Sequence, residues 1–144
     1  MKKDKKKVIF LVDDDALYLK LLEIELLQCP EYKIKTFATG ELCIENLSLK
    51  PDIIVLDYYL NGIDKNAMNG LKTLDKIKNE NQDIQVIMLS AQDSIEVAVN
   101  CMKHNAFDYI VKSETATIRL KKTIATIIKN QKLEYTLNWY MEKM

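Results

Sequence analysis

Residues 8–15 read VIFLVDDD, an unbroken apolar stretch that stops abruptly at three aspartates. Strands that are covered on both faces of a parallel sheet have this character, because neither face meets water. The stretch IIVLD at residues 53–57 repeats the pattern, with Asp57 directly after four apolar residues. The sequence therefore predicts a buried parallel sheet whose strands end in acids.

Strand-like and helix-like segments alternate along the rest of the chain. Further strands are predicted over residues 32–37, 84–89 and 106–111. Pro30 and Pro51 lie just beyond the first two predicted helices, where a proline is expected to follow a helix end. Five strands alternating with five helices, without an internal repeat, predict a doubly wound α/β fold.

Each predicted helix is expected to bury one apolar stripe at the helical period. In the first helix, which Asp15 is expected to cap, the stripe is Leu17, Leu21, Ile24 and Leu27. Thr39 is expected to cap the second helix, which runs to about Leu49. The third is expected to bury Met68, Leu71, Leu74 and Ile77. A capping box of Asp93 and Glu96 is predicted for the fourth, with the stripe Ile95, Ala98, Val99 and Met102. The fifth begins near Ala116 and is expected to bury Leu120, Ile124, Ile127 and Ile128.

Composition excludes several classes of function. The chain has 144 residues, of which 48% are hydrophobic, enough for one domain with a buried core. Lys+Arg and Asp+Glu both total 21, so no global charge attracts nucleic acid, and direct nucleic-acid binding is not expected. No apolar stretch approaches the roughly 20 residues that span a bilayer, so no membrane contact and a cytoplasmic location are expected. The three cysteines lack zinc-site or disulfide spacing and are expected to be reduced thiols.

Three segments are predicted along the chain. Residues 1–7 form a basic tail without an assigned role, residues 8–130 form the domain, and residues 131–144 form a helical extension or the start of a linker. The extension carries one apolar stripe of Leu133, Leu137, Tyr140 and Met144, and a second of Tyr135 and Trp139. A helix that is apolar on two faces favours a partner, either a second copy or a docking protein. A folded-back helix end is the alternative.

Polar residues follow the predicted strands at the sheet edge where open parallel sheets bind ligands. The first strand leads to Asp13–Asp15, the third to Asp57, the fourth to Ser90 and the fifth to Lys112. Clustered carboxylates repel one another unless a hard cation shares them, so a Mg²⁺ site is predicted. Asp57 directly follows a buried strand and lies well before the next helix, so it is the predicted oxygen nucleophile toward a phosphoryl donor. Lys112 and Ser90 are expected to hold the other phosphoryl oxygens.

Four short motifs together resemble the receiver domains of bacterial response regulators. They are VDDD at residues 12–15, LD at 56–57, LSA at 89–91 and DYIVK at 108–112, in the family's order and at strand ends. The resemblance extends from about Val8 to Ile128. It implies a flavodoxin-like sheet of strand order 2-1-3-4-5, and a signalling switch that catalyses only its own phosphorylation and dephosphorylation.

The resemblance also implies an acceptor and a metal site. Asp57 would take a phosphoryl group from a sensor histidine kinase or a phosphotransfer protein. Asp14, Asp57 and the backbone carbonyl of Tyr59 would bind Mg²⁺ or Mn²⁺, and Asp13 would act mainly through metal-bound water.

The remaining implied residues form a phosphate contact and a switch. Lys112 would pair with the phosphoryl oxygens, while Ser90 and Tyr109 would move together and alter the surface formed by the fourth helix, fifth strand and fifth helix. That surface would contact a downstream effector protein, an output domain C-terminal to this sequence, or a second copy in a homodimer. Taken alone, Tyr109 is also compatible with an edge aromatic whose hydroxyl meets water.

The sequence departs from the family pattern near the acceptor. The loop over residues 57–70 is longer than usual and lacks its proline, although Gly70 fills the usual final glycine position. Tyr59 and Gln92 would border the path of hydrolytic water, which predicts slow self-dephosphorylation. Ser113 replaces the usual proline after Lys112, so a trans peptide is expected there.

Two other classes of function compete with the switch. A magnesium phosphatase with an aspartyl nucleophile would need an acid two residues after it, where Tyr59 stands. An unphosphorylated binding module of the same fold would be expected to lose its acids or its lysine, whereas Asp57 and Lys112 are both present.

Overall fold

A computed structural model describes residues 5–144, and its sheet has the predicted topology. Five strands form one parallel sheet in the order β2-β1-β3-β4-β5. Their bounds are β1 Lys7–Val12, β2 Tyr32–Phe37, β3 Ile53–Leu56, β4 Gln85–Ser90 and β5 Asp108–Val111. The predicted doubly wound α/β fold is confirmed.

Helices cover both faces of this sheet. They are α1 Ala16–Leu26, α2 Gly40–Glu45, α3 Gly70–Glu80, α4 Ile95–Lys103 and α5 Ala116–Lys143, and a 3₁₀ turn at Leu47–Leu49 follows α2. One core cluster unites Ile9 and Leu11 of β1 with α1 and α5, and the other unites Phe10 and Val12 with α2, α3 and α4. Successive strand residues point to opposite faces, so the apolar run of β1 serves both cores.

Helix starts agree with the sequence at α1 and α2 and differ at α3 and α4. The side chains of Asp15 and Thr39 accept hydrogen bonds from the first-turn amides of their helices, as predicted. Asn69 caps α3, so Met68 lies in the preceding loop rather than on the helix. Ser94 caps α4, so the predicted capping box of Asp93 and Glu96 is wrong by one residue. Asp93 and Ser94 are adjacent residues that can both cap a helix, and Asn66 and Asn69 both precede α3, so the sequence leaves the two helix starts open.

The predicted buried stripe of α1 is wrong. Leu17, Leu21, Ile24 and Leu27 are 72%, 54%, 53% and 51% exposed, whereas Leu19, Leu22 and Leu26 are buried. Helix α1 is apolar on more than one face, so two stripes satisfy the helical period and periodicity cannot choose between them. The exposed Leu17, Leu21, Ile24 and Leu27 are called the α1 ridge below.

Helix α4 shows the same kind of error. Cys101 is fully buried, with Val97 and Ala98 partly buried beside the α2–α3–α4 core. Ile95, Val99 and Met102 were expected to be buried but are exposed, Ile95 by 84%. These three residues are called the α4 ridge.

Helix α5 packs at one end and projects at the other. Leu120, Ile124 and Ile127 are buried and Ile128 is partly buried, as predicted. Arg119 Nη2 lies 3.0 Å from Asp108 Oδ1, which ties the base of α5 to β5. Residues 132–144 are exposed throughout, including both apolar stripes of the predicted extension.

Smaller features concern the cysteines, one peptide bond, the helices and the ends of the chain. Cys29, Cys43 and Cys101 are free thiols. The Lys112–Ser113 peptide is trans. Within residues 5–144, no helix combines the length and apolarity that crossing a membrane requires. The predicted basic tail includes residues 1–4, which are outside the described part of the chain, and the proposed division at residues 7 and 130 stays a prediction.

Candidate functional site

Carboxylates from two neighbouring strands meet at the carboxyl edge of the sheet. Val12 is in register with Leu56, so the residues that follow them, Asp13 and Asp57, emerge side by side. Oxygens of Asp13, Asp14 and Asp57 all lie within 4.8 Å of one another. Asp13 and Asp57 are only 3% and 6% exposed. The acids predicted from the sequence therefore form one compact, largely buried cluster.

Lys112 reaches this cluster from the end of β5, two strands away from β3. Its Nζ lies 2.8 Å from Asp13 Oδ2 and 3.4 Å from Asp57 Oδ2. The backbone amide of Lys112 donates to the carbonyl of Ser90 over 2.8 Å, which fixes its position beyond the ends of β4 and β5. The ammonium also lies 4.4 Å from the ring centroid of Tyr18, within the range of a cation–π interaction.

The electrostatics of the cluster favour a further cation. Burial and the nearby charge of Asp13 raise the pKa of Asp57 from 3.8 to about 7, against the opposing effects of Lys112 and the Tyr59 amide. Burial alone would lower the pKa of Lys112, but its contacts with Asp13 and Asp57 outweigh burial and raise it. One ammonium thus faces three carboxylates, which leaves net negative charge in a mostly buried site.

The donor set fits a hard divalent cation. Carboxylate oxygens are the ligands that Mg²⁺ and Mn²⁺ accept, and Asp13, Asp14 and Asp57 are close enough to share one ion. The Tyr59 amide donates to Asp57 Oδ1 over 3.3 Å, so this residue borders the cluster. A ligand role for the Tyr59 carbonyl stays a prediction.

Ser90 and Tyr109, the predicted switch pair, both form side-chain hydrogen bonds with the backbone of Gln92. Ser90 is fully buried, and its Oγ accepts a hydrogen bond from the amide of Gln92 over 3.2 Å. The Tyr109 hydroxyl donates to the carbonyl of Gln92 over 2.6 Å, and this side chain is only 8% exposed. Tyr109 is therefore an inward residue rather than a solvated edge aromatic. Gln92 links the two switch candidates just before α4 begins.

The long loop after Asp57 is anchored at both ends. Leu60 is buried in the α2–α3–α4 core, and the Met68 amide donates to Glu41 Oε2 over 2.8 Å. Between them, Asp64 accepts the amide of Asn66 and closes a turn. Tyr59 is 46% exposed and Ile63 is 80% exposed, so the loop presents apolar side chains beside the acids.

Gly70 allows the start of α3 to lie directly on the backbone of the acceptor segment. A Cβ at this position would collide with the carbonyl oxygen of Asp57 and would lie 2.6 Å from the Cα of Tyr58. The Gly70 amide donates to the Tyr58 carbonyl over 2.9 Å. No side chain can be accommodated in that contact without displacing backbone.

Comparison with known proteins identifies the family of this fold and site. The model of the response regulator receiver domain matches residues 9–125. The chain belongs to this family. Receiver domains are the signalling modules of two-component systems, and the predicted family membership is confirmed.

Individual relatives agree with the family assignment. The receiver domain is 31% identical over 103 residues to the nitrogen assimilation regulatory protein NtrX of Azorhizobium caulinodans, covering 71% of this chain and 22% of that protein. It is 35% identical to a protein-glutamate methylesterase/protein-glutamine glutaminase of Bacillus subtilis, covering 72% of this chain and 29% of that enzyme. The chain thus spans less than a third of the length of either relative.

A solved structure gives the same result at the level of the fold. The signal receiver domain of a LuxO repressor protein from Vibrio parahaemolyticus superposes with a TM-score of 0.79 and 28% identity. The match covers 92% of this chain and 97% of that domain. The predicted strand order is therefore that of a receiver domain.

Two features of the receiver site were not predicted from the sequence. Tyr18 lies under the ammonium of Lys112, although nothing in the sequence distinguished it from the apolar residues of α1. The collision that a side chain at Gly70 would cause depends on a contact between α3 and the Asp57 segment, which spacing alone does not reveal. His104 lies outside the cluster, with its Nδ1 2.7 Å from Asp75 Oδ1.

The raised pKa of Asp57 predicts a pH-dependent stability in metal-free buffer. The unfolded chain ionises this group near 3.8, and the folded protein does so only at about 7. Between these values the folded state binds more protons, so the free energy of unfolding falls as the pH rises through this range. Urea unfolding in EDTA at several pH values measures the slope. Asp57→Asn should lose this component, and equal slopes in both proteins would contradict the prediction.

Proposed function

We propose that this receiver domain is a phosphorylation switch in which Asp57 accepts a phosphoryl group from a histidine kinase or a phosphotransfer protein. The observation that carries the proposal is the buried Asp57 carboxylate, held between Asp13 and Lys112 at the carboxyl edge of the sheet. Asp13, Asp14 and Asp57 would hold Mg²⁺ or Mn²⁺.

The chemistry is a simple displacement at phosphorus. A carboxylate oxygen of Asp57 forms a bond to phosphorus, while the bond from phosphorus to the donor's histidine nitrogen breaks and the nitrogen keeps the electron pair. A bound divalent cation would neutralise charge on the carboxylates and the phosphoryl oxygens. Lys112 already contacts Asp57 and needs little movement to pair with a phosphoryl oxygen. The hydroxyl of Ser90 would rotate from its contact with Gln92 to donate to another.

The same movement would reach the surface formed by α4, β5 and α5. Gln92 accepts the Tyr109 hydroxyl through its carbonyl and binds Ser90 through its amide, so a change at Ser90 alters both. Two residues later, Ser94 caps α4, which carries the exposed α4 ridge. We infer that this ridge contacts the effector protein or output domain, because exposed apolar patches favour protein partners.

The α1 ridge provides a surface for the phosphoryl donor. The ridge begins at Leu17, three residues after Asp14 of the acid cluster, and all of its side chains are more than half exposed. An apolar helix face beside the acceptor suits a helix of the donor protein. We therefore place the kinase or phosphotransfer protein against α1. The cytoplasmic location expected from the sequence is part of this proposal.

A small acyl phosphate tests the acceptor chemistry without the unidentified kinase. Incubation of the chain with acetyl phosphate and Mg²⁺, followed by intact-mass spectrometry, should show the addition of one phosphoryl group. Addition of EDTA should prevent it, because net negative charge in the cluster opposes the approach of an anionic donor. Failure of the wild-type chain to gain mass with acetyl phosphate and Mg²⁺, or an equal gain in the presence of EDTA, would contradict the proposal.

The neighbours of Asp57 predict a long-lived phosphoryl group. The half-exposed ring of Tyr59 lies two residues after the acceptor and packs edge-on against Tyr58, with centroids 5.0 Å apart. Such a ring would hinder the approach of water, and we place Gln92 on the other side of that path. The phosphoryl group of Tyr59→Asn should therefore be hydrolysed at least about threefold faster. This rate corresponds to an activation free energy that is lower by roughly 0.7 kcal/mol. Ile63→Asn, on the exposed part of the same loop, is the matched control.

The outcome is read from the decay of phosphorylated protein after donor removal. Equal lifetimes for wild type and Tyr59→Asn would show that the ring does not limit hydrolysis. Acceleration in Ile63→Asn as well would indicate a general loosening of the loop rather than a role for Tyr59.

A further inference from the structure

The projecting end of α5 carries an apolar stripe that its own domain cannot cover. Leu133, Leu137 and Tyr140 are 58%, 59% and 59% exposed, and Met144 is fully exposed. The stripe lies roughly 130° around the helix from the buried Leu120, Ile124 and Ile127, so it points away from the sheet. An apolar stripe that is exposed to solvent on a regular helix favours a binding partner outside the chain.

The spacing of the stripe is that of a coiled-coil seam. Its members are separated by four, three and four residues, which places Leu133 and Tyr140 at d positions and Leu137 and Met144 at a positions of a heptad. The preceding a position is Asn130, which is also exposed. A single asparagine at an a position pairs with its own copy and specifies a parallel, in-register pair of helices.

Charges beside the seam give the same orientation. Lys129 is at a g position and Glu134 at the following e position, which face each other between helices of a parallel coiled coil. Within one helix these two residues are five apart and roughly 140° around the axis, so they do not meet. An antiparallel pair that matched Leu133 with Leu137 would instead place each of these charged residues near a residue of the same charge.

We propose that residues 129–144, which are the last part of α5 and the residue that follows it, form a parallel two-stranded coiled coil with a second copy of this chain. The seam is Asn130, Leu133, Leu137, Tyr140 and Met144, flanked by an ion pair from Lys129 of one copy to Glu134 of the other. This contact lies beyond the packed part of α5 and is separate from the α4 ridge. Over residues 129–144 the seam covers about two heptads, and the population of a dimer formed by this segment depends on protein concentration.

Sedimentation equilibrium of the unphosphorylated full chain, over about a hundredfold range of concentration, tests the proposal. The wild type should pass from monomer to dimer. Leu137→Asp places a charge in the seam and should weaken dimerisation at least about tenfold. Tyr135→Asp, on the other stripe of the same helix, should leave it within about twofold of wild type. Thermal unfolding at low concentration checks that both variants retain the fold.

A charge exchange distinguishes this geometry from other apolar contacts. Lys129→Glu and Glu134→Lys should each weaken the dimer about threefold, and the double variant should restore it. Asn130→Leu should strengthen association while admitting larger assemblies, because it removes the residue that selects two strands. A monomer at every concentration, equal effects of Leu137→Asp and Tyr135→Asp, or a double variant as weak as the single ones would overturn the proposal.

Discussion

Asp57→Asn is expected to abolish phosphoryl uptake, with no mass gain under conditions that fully label the wild type. The amide cannot act as the anionic oxygen nucleophile, and no other carboxylate occupies the same position at the end of β3. Asp57 is 6% exposed and lies 3.4 Å from Lys112, so the substitution removes one charge from a defined site without changing the side chain's size. Intact-mass spectrometry after incubation with acetyl phosphate and Mg²⁺ provides the measurement.

Asp15→Asn is the matched control for that experiment. Asp15 belongs to the same run of acids, but its side chain accepts the amides of Leu17 and Tyr18 as the cap of α1. Asparagine is an equally good cap, so this variant should label like the wild type. Full labelling of Asp57→Asn would show that another residue is the acceptor, and loss in both variants would indicate that total acidity, rather than Asp57, determines uptake.

Gly70→Ala is expected to destabilise the fold by about 3 kcal/mol and to impair labelling as well. The added methyl group would be forced against the carbonyl oxygen of Asp57 and the backbone of Tyr58, which are parts of the chain that cannot rotate away. Relief of the collision must shift either the start of α3 or the segment that carries the acceptor. Urea unfolding gives the stability, and the rate of phosphoryl uptake gives the effect on the site.

Gly62→Ala separates this collision from the general effect of removing a glycine. A Cβ there would approach only Asp14 Oδ2, at 3.3 Å, and a carboxylate on a partly exposed side chain can move aside. Its stability should change by less than about 1 kcal/mol. Similar losses in the two variants would mean that the contact between α3 and the Asp57 segment tolerates a side chain.

The sheet and the acids were predictable because both follow from short-range patterns. Apolar runs such as Ile53–Leu56 show that a strand is covered on both faces, and parallel topology brings the residues after such strands to one edge. Asp13, Asp57 and Lys112 could therefore be assigned to one cluster before any distance was known. The caps of α1 and α2 were equally local, since Asp15 and Thr39 bind amides within three residues.

The faces of α1 and α4 were not predictable in the same way. Which stripe of a broadly apolar helix turns inward depends on packing against other elements, and the period alone supports both Leu19 and Leu21. The underlying assumption was that the apolar residues of one stripe would be buried, and α1 and α4 instead leave such a stripe exposed. The expected buried stripes are wrong at Leu17, in the first turn of α1, and at Ile95, in the first turn of α4, because both side chains are exposed.

The length of α5 gives the domain mechanical leverage. Its 28 residues extend for about 42 Å, and its base is tied to β5 by Arg119 and Asp108. A tilt of about 5° at Ala116 would carry the far end sideways by roughly 4 Å, as far as one side chain reaches. A displacement at β5 that is too small to expose new surface there would thus move the far end of α5 by several ångströms. In the proposed dimer, this movement would strain the contact between the two helices.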